Sequence, residues 1–419
     1  MSQRFKEMFR TDKTAFTRNR IMDFPKVVLT LLSGLSKSLS AEVYDMIQNF
    51  RLAHYSKQAF SWARLHLKYT AFIFLNGELV SRFYEEDGFR TYRGRIFLAA
   101  DGFTLGLPNV EELKKKFGFQ KNQNGDACAP SASCIALYDV LNEIVISSDI
   151  RRYLTSERKM AVKAVDRMLR LISGRRYLLT ADRGFPGMGI FFFLASRGID
   201  FAVRTQTGFL KEFSDVYNGK SCDMTVEVKA QKHEIGKEHR ADFDALKGKM
   251  LLRMVRVEIG KDKYEYLITN LLDREEFPPS ELKEIYRMRW CIETDIKRKK
   301  VLCELENFAS KTRLRIKQEF YAKMFIINMS NMMINDIEEE LQEEKKDTEL
   351  KVNRNIAYGI FSQCIFRSFL NPADFDRDVE RASAYLKRQY TKAKPNRIFA
   401  RKPAARRRRA FHINQRRSC

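Results

Sequence analysis

Apolar residues recur at three- and four-residue spacing through the first ninety positions of the chain. AEVYDMIQNFRLAHY and SKQAFSWARLHLKYTAFIFL show that spacing between basic side chains, so residues 1–90 are expected to be mostly helical. From about residue 91 the pattern changes. RIFLAADG is an apolar run ending in Asp101-Gly102, and SASCIALYDV and NEIVISSDI read as two strands of a hairpin. SERKMAVKAVDRMLRLIS returns to helical spacing, with Ser156 as its cap. YLLTADRGF is a second apolar run, ending in Asp182-Arg183-Gly184. GIFFFLASRG reads as a buried helix and DFAVR as a strand. Three strands, helix, strand, helix, strand is a mixed α/β layer architecture.

Residues 205–248 break the alternation. They are polar, include Gly208, Gly219, Gly236 and Gly248, and hold one exposed-strand pattern, TVEVKAQKHEI, so they read as an insertion. KMLLRMVRVEI and KYEYLITNLL, joined by Gly260-Lys261-Asp262, predict another hairpin.

A helix over residues 281–303 follows, with Ser280 able to cap it and no Gly or Pro inside it. At about 100° per residue, Tyr286, Arg289, Glu293, Lys297 and Lys300 fall within an arc of roughly 80°. Beside that polar stripe runs an apolar one of Met288, Ile292, Ile296 and Cys303. Taken alone, the polar stripe is a salt-bridged surface whose i,i+4 pairs contribute ~0.3–0.5 kcal/mol each. Alternatively, it is one acid that holds a metal among groups that grip phosphates.

Beyond it, EFYAKMFIINMSNMMINDI is a Met-rich core helix. DIEEELQEEKKDTELK gives the last helical turns and a linker, and NIAYGIFSQCIFRSFL is a further amphipathic helix. From Arg381 to the end there are fourteen Lys and Arg and no Asp or Glu, including Arg406, Arg407, Arg408 and Arg409. Such a tail buries no core and is expected to be disordered when free and to bind nucleic acid.

Charge narrows the function. The chain of 419 residues is 44% hydrophobic, as a globular protein is, yet carries a formal net charge of +24. That excess suits a polyanion, nucleic acid first. No apolar run reaches the ~18 residues of a spanning helix, and MSQRFKEMFRTDK lacks a signal-peptide core. The expectation is no membrane partner and a cytoplasmic, nucleoid-associated protein. The seven cysteines form no CxxC and read as buried free thiols; His233 and His239 lack cysteines at zinc-finger spacing.

Asp101 and Asp182 each close an apolar run and each is followed within two residues by Gly. Singly, each reads as a turn. Jointly, two strand-end carboxylates and one from a packed helix are a set able to hold divalent ions, because ligand sites of α/β sheets gather at strand ends. Phosphodiester chemistry uses two Mg²⁺ about 3.5–4 Å apart. Mg²⁺ takes hard oxygen ligands, so five histidines in the whole chain are no obstacle.

Y-x2-R-x3-E-x6-K with a further Lys four after the Glu, here Tyr286, Arg289, Glu293, Lys297 and Lys300, resembles the signature of one branch of the DDE transposases of bacterial insertion sequences. LAADGFTLGLPN is similar to that family's first-Asp segment, LLTADRGFPG with DFAVR to its second, and YLITNLLDREEFPPSELKEIYRMRWCIE to its final-Glu segment. The likeness runs from about 58 to about 330. It implies an RNase H-like core with an inserted, mostly β subdomain at about 205–248. The implied division is a helical DNA-binding region over 1–90, a catalytic core over 91–340, and a C-terminal helical region with basic tail over 341–419. By motif position Asp101, Asp182 and Glu293 would be catalytic ligands of two Mg²⁺, with Mn²⁺ as a substitute. Tyr286, Arg289, Lys297 and Lys300 would touch phosphates and DNA ends. The implied activity is cut-and-paste transposition by a homodimer acting on double-stranded terminal inverted repeats and target DNA.

One departure is a base-stacking tryptophan of the family's inserted domain. Trp62 and Trp290 are the only tryptophans here, which leaves Phe209, Phe213, Tyr217 or Phe243 for that place. A catalytically silent, transposase-derived repressor or architectural protein and a metal-dependent nuclease without strand transfer remain the alternatives.

Overall fold

The computed structural model describes residues 1–18, 20–33, 38–50, 53–86, 88–121, 127–261, 263–347 and 350–392. The basic run 406–409 lies outside the described residues. The chain opens with α1 (Gln3–Phe9), α2 (Phe24–Leu32), α3 (Leu39–Phe50), α4 (Lys57–Ala63) and α5 (Thr70–Glu85), the helices that the spacing of residues 1–90 predicts. Ser2, Asp23 and Ser56 cap α1, α2 and α4 by accepting backbone N–H bonds.

Next come β1 (Ile96–Gly106), α6 (Glu111–Phe117), β2 (Phe119–Lys121), β3 (Ala127–Asp139), β4 (Ile144–Arg152), α7 (Glu157–Leu171), β5 (Tyr177–Ala181), α8 (Met188–Ala195) and β6 (Asp200–Thr205). The expected order of three strands, helix, strand, helix, strand is present, with α6 and the short β2 added. Ser156 caps α7 through Lys159 N–H. β3 and β4 form the expected antiparallel hairpin, β3 also pairs antiparallel with β1, and β1, β5 and β6 run parallel.

Then follow α9 (Ser214–Tyr217), β7 (Asp223–Lys229), α10 (Arg240–Ala245), β8 (Lys249–Gly260) and β9 (Lys263–Thr269). The hairpin β8–β9 is as the sequence predicts. The segment read as an inserted β subdomain is built differently. It supplies one strand, β7, and short helical turns, and β7 joins the main sheet, whose order is β4–β3–β1–β5–β6–β9–β8–β7 with β2 on the start of β3. The alternating burial of β7 follows from this position: one face packs and the other is open at the sheet edge.

The last elements are α11 (Pro279–Met288), α12 (Trp290–Val301), α13 (Arg313–Lys345), β10 (Leu350–Val352), α14 (Arg354–Leu370), α15 (Phe375–Leu386) and β11 (Tyr390–Lys392). The Met-rich stretch lies in α13, buried as expected, and its asparagines have a task that the apolar pattern hides. Asn328 pairs with both backbone groups of Val145, while Asn331 and Asn335 donate to the carbonyls of Glu143 and Asn142. They satisfy the edge of β4 and the hairpin turn. Part of the stretch expected to be a disordered tail is ordered: α15 covers Arg381, and β11 pairs with β10.

Three apolar clusters hold these layers together. One joins the N-terminal helices to α13 and α14, through Phe24, Phe60, Phe72, Phe320 and Phe361. A second lies under α7 and α8, against Leu98, Leu179 and Phe201. The third lies on the other sheet face, where Phe97, Ala99 and Leu178 meet Ile285, Tyr286, Ile292 and Ile296 of α11 and α12. The six described cysteines are free, but Cys222 and Cys291 are exposed rather than buried. No helix among the described residues is long and apolar enough to cross a membrane.

Candidate active site

The parallel register of β1 and β5 ends at Ala100 opposite Ala181. The next residue of each chain is Asp101 and Asp182, so the two aspartates stand side by side at the same level of the sheet. Side chains alternate faces along a strand. Asp101 therefore shares the face of Phe97 and Ala99, and Asp182 that of Leu178, which is the face covered by α11 and α12. Asp182 follows its strand end, as expected. Asp101 does not: β1 continues to Gly106 because β3 keeps pairing with it, Asp101 opposite Ala136. Only the parallel partner stops there, and that stop opens the site.

The helix expected over 281–303 is broken at Arg289. Arg289 N–H bonds to Tyr286 O, and Arg289 O accepts from Ile292 N–H, so the chain tightens to three-residue turns there. At Tyr286 and Arg289 the polar stripe is not a solvent face. Tyr286 is 4% and Arg289 1% exposed, because both face the sheet end that carries the aspartates. Arg289 Nη2 donates to Glu293 Oε1 at 2.8 Å. Its Nε and Nη1 have no hydrogen-bond partner among the described residues. Its guanidinium lies 5.2 Å from the Tyr286 ring centroid and 5.1 Å from that of Trp290.

Asp182 Oδ1 gathers three donors: Arg183 N–H at 2.7 Å, Tyr286 O–H at 3.2 Å and the guanidinium of Arg204 at 2.8 Å. Burial raises its pKa, but the Arg183 N–H, Arg204 and Arg289 outweigh it, so the carboxyl ends below the ordinary range. Asp101 is the opposite case. Burial pushes it up to about 7. Arg289 opposes the rise, while Glu293, Glu157 and Asp182 add to it. Asp101 has no hydrogen bond or ion pair among the described residues. The two neighbouring carboxyls are thus shifted in opposite directions, Asp182 downward by its donors and Asp101 upward by burial.

The remaining expected contacts are less convergent. Lys297 is exposed and pairs with no carboxylate among the described residues. Lys300 Nζ donates to Thr104 O at 2.6 Å and pairs with Glu306 at 3.4 Å, so it is tied to the far end of β1. Phe213 is buried in the cluster under α8, and Phe209, Tyr217 and Phe243 are half-buried against it. Trp290, beside Arg289, is 42% exposed.

Two residues of the site escaped the sequence reading. Arg204 stands next to the end of β6, closing the run DFAVR, and a charge closing an apolar run is the available signal. Glu157 opens α7 and reads as an ordinary first-turn acid; nothing local shows that it reaches the aspartates.

The donor set of Asp101, Asp182 and Glu293 is all hard oxygen, which fits a divalent ion such as Mg²⁺, and the partnerless Asp101 fits the need for a cation. Among the described residues no three acidic, His or Cys side chains lie close enough, as they stand, to grasp one ion. Asp182 pairs with Arg204, and Glu293 with Arg289.

Comparison with known proteins follows the same lines. The family model described as the transposase DDE domain matches residues 92–329, more than half of the chain. The transposase InsG for insertion sequence element IS4 of Escherichia coli (strain K12) is 20% identical over 253 residues, 59% of this chain and 54% of InsG. The chain thus spans about half the length of that relative. A solved structure, the cryo-EM piggyBac transposase synaptic complex with hairpin DNA, aligns over 94% of this chain and 86% of its own at 11% identity, with a TM-score of 0.44. At that score the likeness carries no argument, and the family rests on the match over the segment that contains Asp101, Asp182 and Glu293: the chain belongs to the transposase DDE domain family.

Proposed function

We propose that the chain is a cut-and-paste DNA transposase. It binds the terminal inverted repeats of its own element, hydrolyses a phosphodiester at the ends, and joins the freed 3′-OH ends to target DNA. The observation that carries this reading is the register of β1 and β5, which sets Asp101 beside Asp182 on the face where α12 brings Glu293. The strand order β4–β3–β1–β5–β6, with β3 alone running against its neighbours, supports an RNase H-like core.

Asp101, Asp182 and Glu293 would hold the divalent ions, Mg²⁺ or Mn²⁺, which when bound activate the attacking oxygen and stabilise the leaving one. The chain's own groups do the rest. Tyr286, Arg183 and Arg204 fix Oδ1 of Asp182 and leave Oδ2 without a partner among the described residues. Arg289 holds Glu293 with one nitrogen and keeps two donors for phosphate oxygens, in a site with little water to compete. Lys297, open to solvent one turn beyond Glu293, meets the flanking backbone, and Lys300 reaches it by leaving Thr104 and Glu306. The basic tail, residues 406–409 included, adds sequence-independent attraction to duplex DNA. A homodimer bridging two ends completes the reading.

The test is cleavage and joining of end-sequence DNA in Mg²⁺, in Mn²⁺ and in EDTA, with Glu293→Gln and Asp182→Asn as controls. The reading expects metal-dependent nicking by the parent alone, and joining of precut ends to target DNA. Nicking without joining identifies a nuclease. End binding with no cleavage in either metal identifies a silent DNA-binding protein.

A further inference from the structure

Gly102 is not a turn glycine. It lies within β1, paired with Ile135, and its φ is outside the left-handed region, so the backbone does not require glycine there. The reason is steric. A Cβ at position 102 would stand 2.4 Å from Cδ, 2.5 Å from Oε1 and 2.7 Å from Cγ of Glu157. The other carboxylate oxygen, Oε2, lies 3.6 Å from where a Cβ of Gly184 would be. The carboxylate of Glu157 is thus lodged between the two backbone segments that directly follow Asp101 and Asp182. Arg158 fixes the start of α7 in that place, its Nε donating to Gly184 O at 2.9 Å.

Glu157 has no hydrogen bond or ion pair of its own among the described residues. An acid in the first helical turn ordinarily gains from the helix dipole while staying in water. This one is also exposed to solvent, but its carboxylate stands against the Gly102 backbone, and its charge acts on Asp101 together with those of Glu293 and Asp182. A fourth negative charge there is unfavourable unless cations share the site. A separate observation points to an anion at the same site. Arg289, 1% exposed and set among the same acids, keeps two nitrogens without partners, as it would for a phosphate lying against the ions.

We propose that Glu157 is a fourth carboxylate ligand of the divalent-ion site, reaching it from the α7 side as Glu293 does from the α12 side. Gly102 leaves the room that lets it in. The proposal rests on the reading of Asp101, Asp182 and Glu293 as metal ligands.

The experiment measures Mn²⁺ binding to the full-length protein without DNA, by the loss of the free-ion EPR signal, beside thermal melts in EDTA. Glu157→Gln should melt like the parent and bind Mn²⁺ about tenfold more weakly or worse, the scale on which even indirect metal contacts act. Gly102→Ala should do the same with Glu157 intact, because the new methyl pushes aside only the end of a flexible side chain. Glu157→Asp, which keeps the charge but falls short, should lie between. Parent-like Mn²⁺ affinity in both Glu157→Gln and Gly102→Ala would overturn the fourth ligand while leaving the three-acid site standing. A parent that binds Mn²⁺ no better than Asp101→Asn would overturn the site as a whole, and the proposal with it.

Discussion

Replacing Arg289 separates a catalytic face from a decorated surface helix. As an exposed i,i+4 pair, Arg289 with Glu293 would contribute ~0.3–0.5 kcal/mol. The structure changes that magnitude. The Arg289 side chain is 1% exposed, donates to Glu293 at 2.8 Å, and is the cation that opposes the rise of Asp101. A hydrogen bond to a charged group contributes about 1.5–3 kcal/mol, and water at Glu293, 37% exposed, reduces it. Arg289→Lys keeps the charge but loses the planar fork, so we expect a loss of about 1–2 kcal/mol. Arg289→Met removes the charge and leaves three carboxylates without their shared cation, a loss of about 3 kcal/mol. Urea unfolding in EDTA measures both. In Mn²⁺ the Met variant should regain more stability than the parent gains, because the ion replaces the missing positive charge. Gel-shift titration with end DNA should show both variants impaired in paired-end assembly. Losses under about 0.5 kcal/mol in both, the range of an exposed pair, with normal assembly, would return the pair to the surface and refute the inward-facing stripe.

Other outcomes follow from the same geometry. Asp101→Asn should abolish metal-dependent cleavage, keep end-DNA affinity within about tenfold, ~1.4 kcal/mol, and melt at or above the parent in EDTA, because it removes an unpartnered charge among acids. Glu143→Gln should cost about 2–3 kcal/mol in urea unfolding, since Glu143 holds Arg298 of α12 and Arg354 of α14 together; its side chain is 24% exposed, which lowers the ~3–5 kcal/mol of a broken buried pair. Deleting residues 393–419, which spares β11, should flatten the slope of log K against log salt by about 0.9 for each phosphate that the tail neutralises, and weaken binding to all duplexes alike; a loss confined to end-sequence DNA would make the tail a sequence reader.

Much of this site is legible in the sequence, for a definite reason. An apolar run that stops at Asp reports both a buried strand and the level at which its burial ends. Two such runs in parallel neighbours bring their aspartates to one level. The helix pattern reports which stripe packs, so Ile292 and Ile296 are correctly placed in the core and Glu293 beside them. What the pattern does not report is the partner of each surface. The polar stripe of Tyr286 and Arg289 looks solvent-facing because its partner is polar too, and a polar–polar contact leaves no hydrophobic signal. The break at Arg289 needs no Gly or Pro, since packing against the sheet end sets it. The strand of residues 205–248 reads as a separate subdomain because edge strands alternate alike whether they start a new sheet or extend an old one; here β7 extends the old one. Glu157 is hidden most fully. Its position at a helix start explains an acid there, and Gly102 after Asp101 explains itself as a turn, so each residue has a sufficient local account. Only their approach in space shows that the two local accounts leave something out: in β1 the glycine makes no turn, and at the head of α7 the acid, though exposed, stands against that glycine.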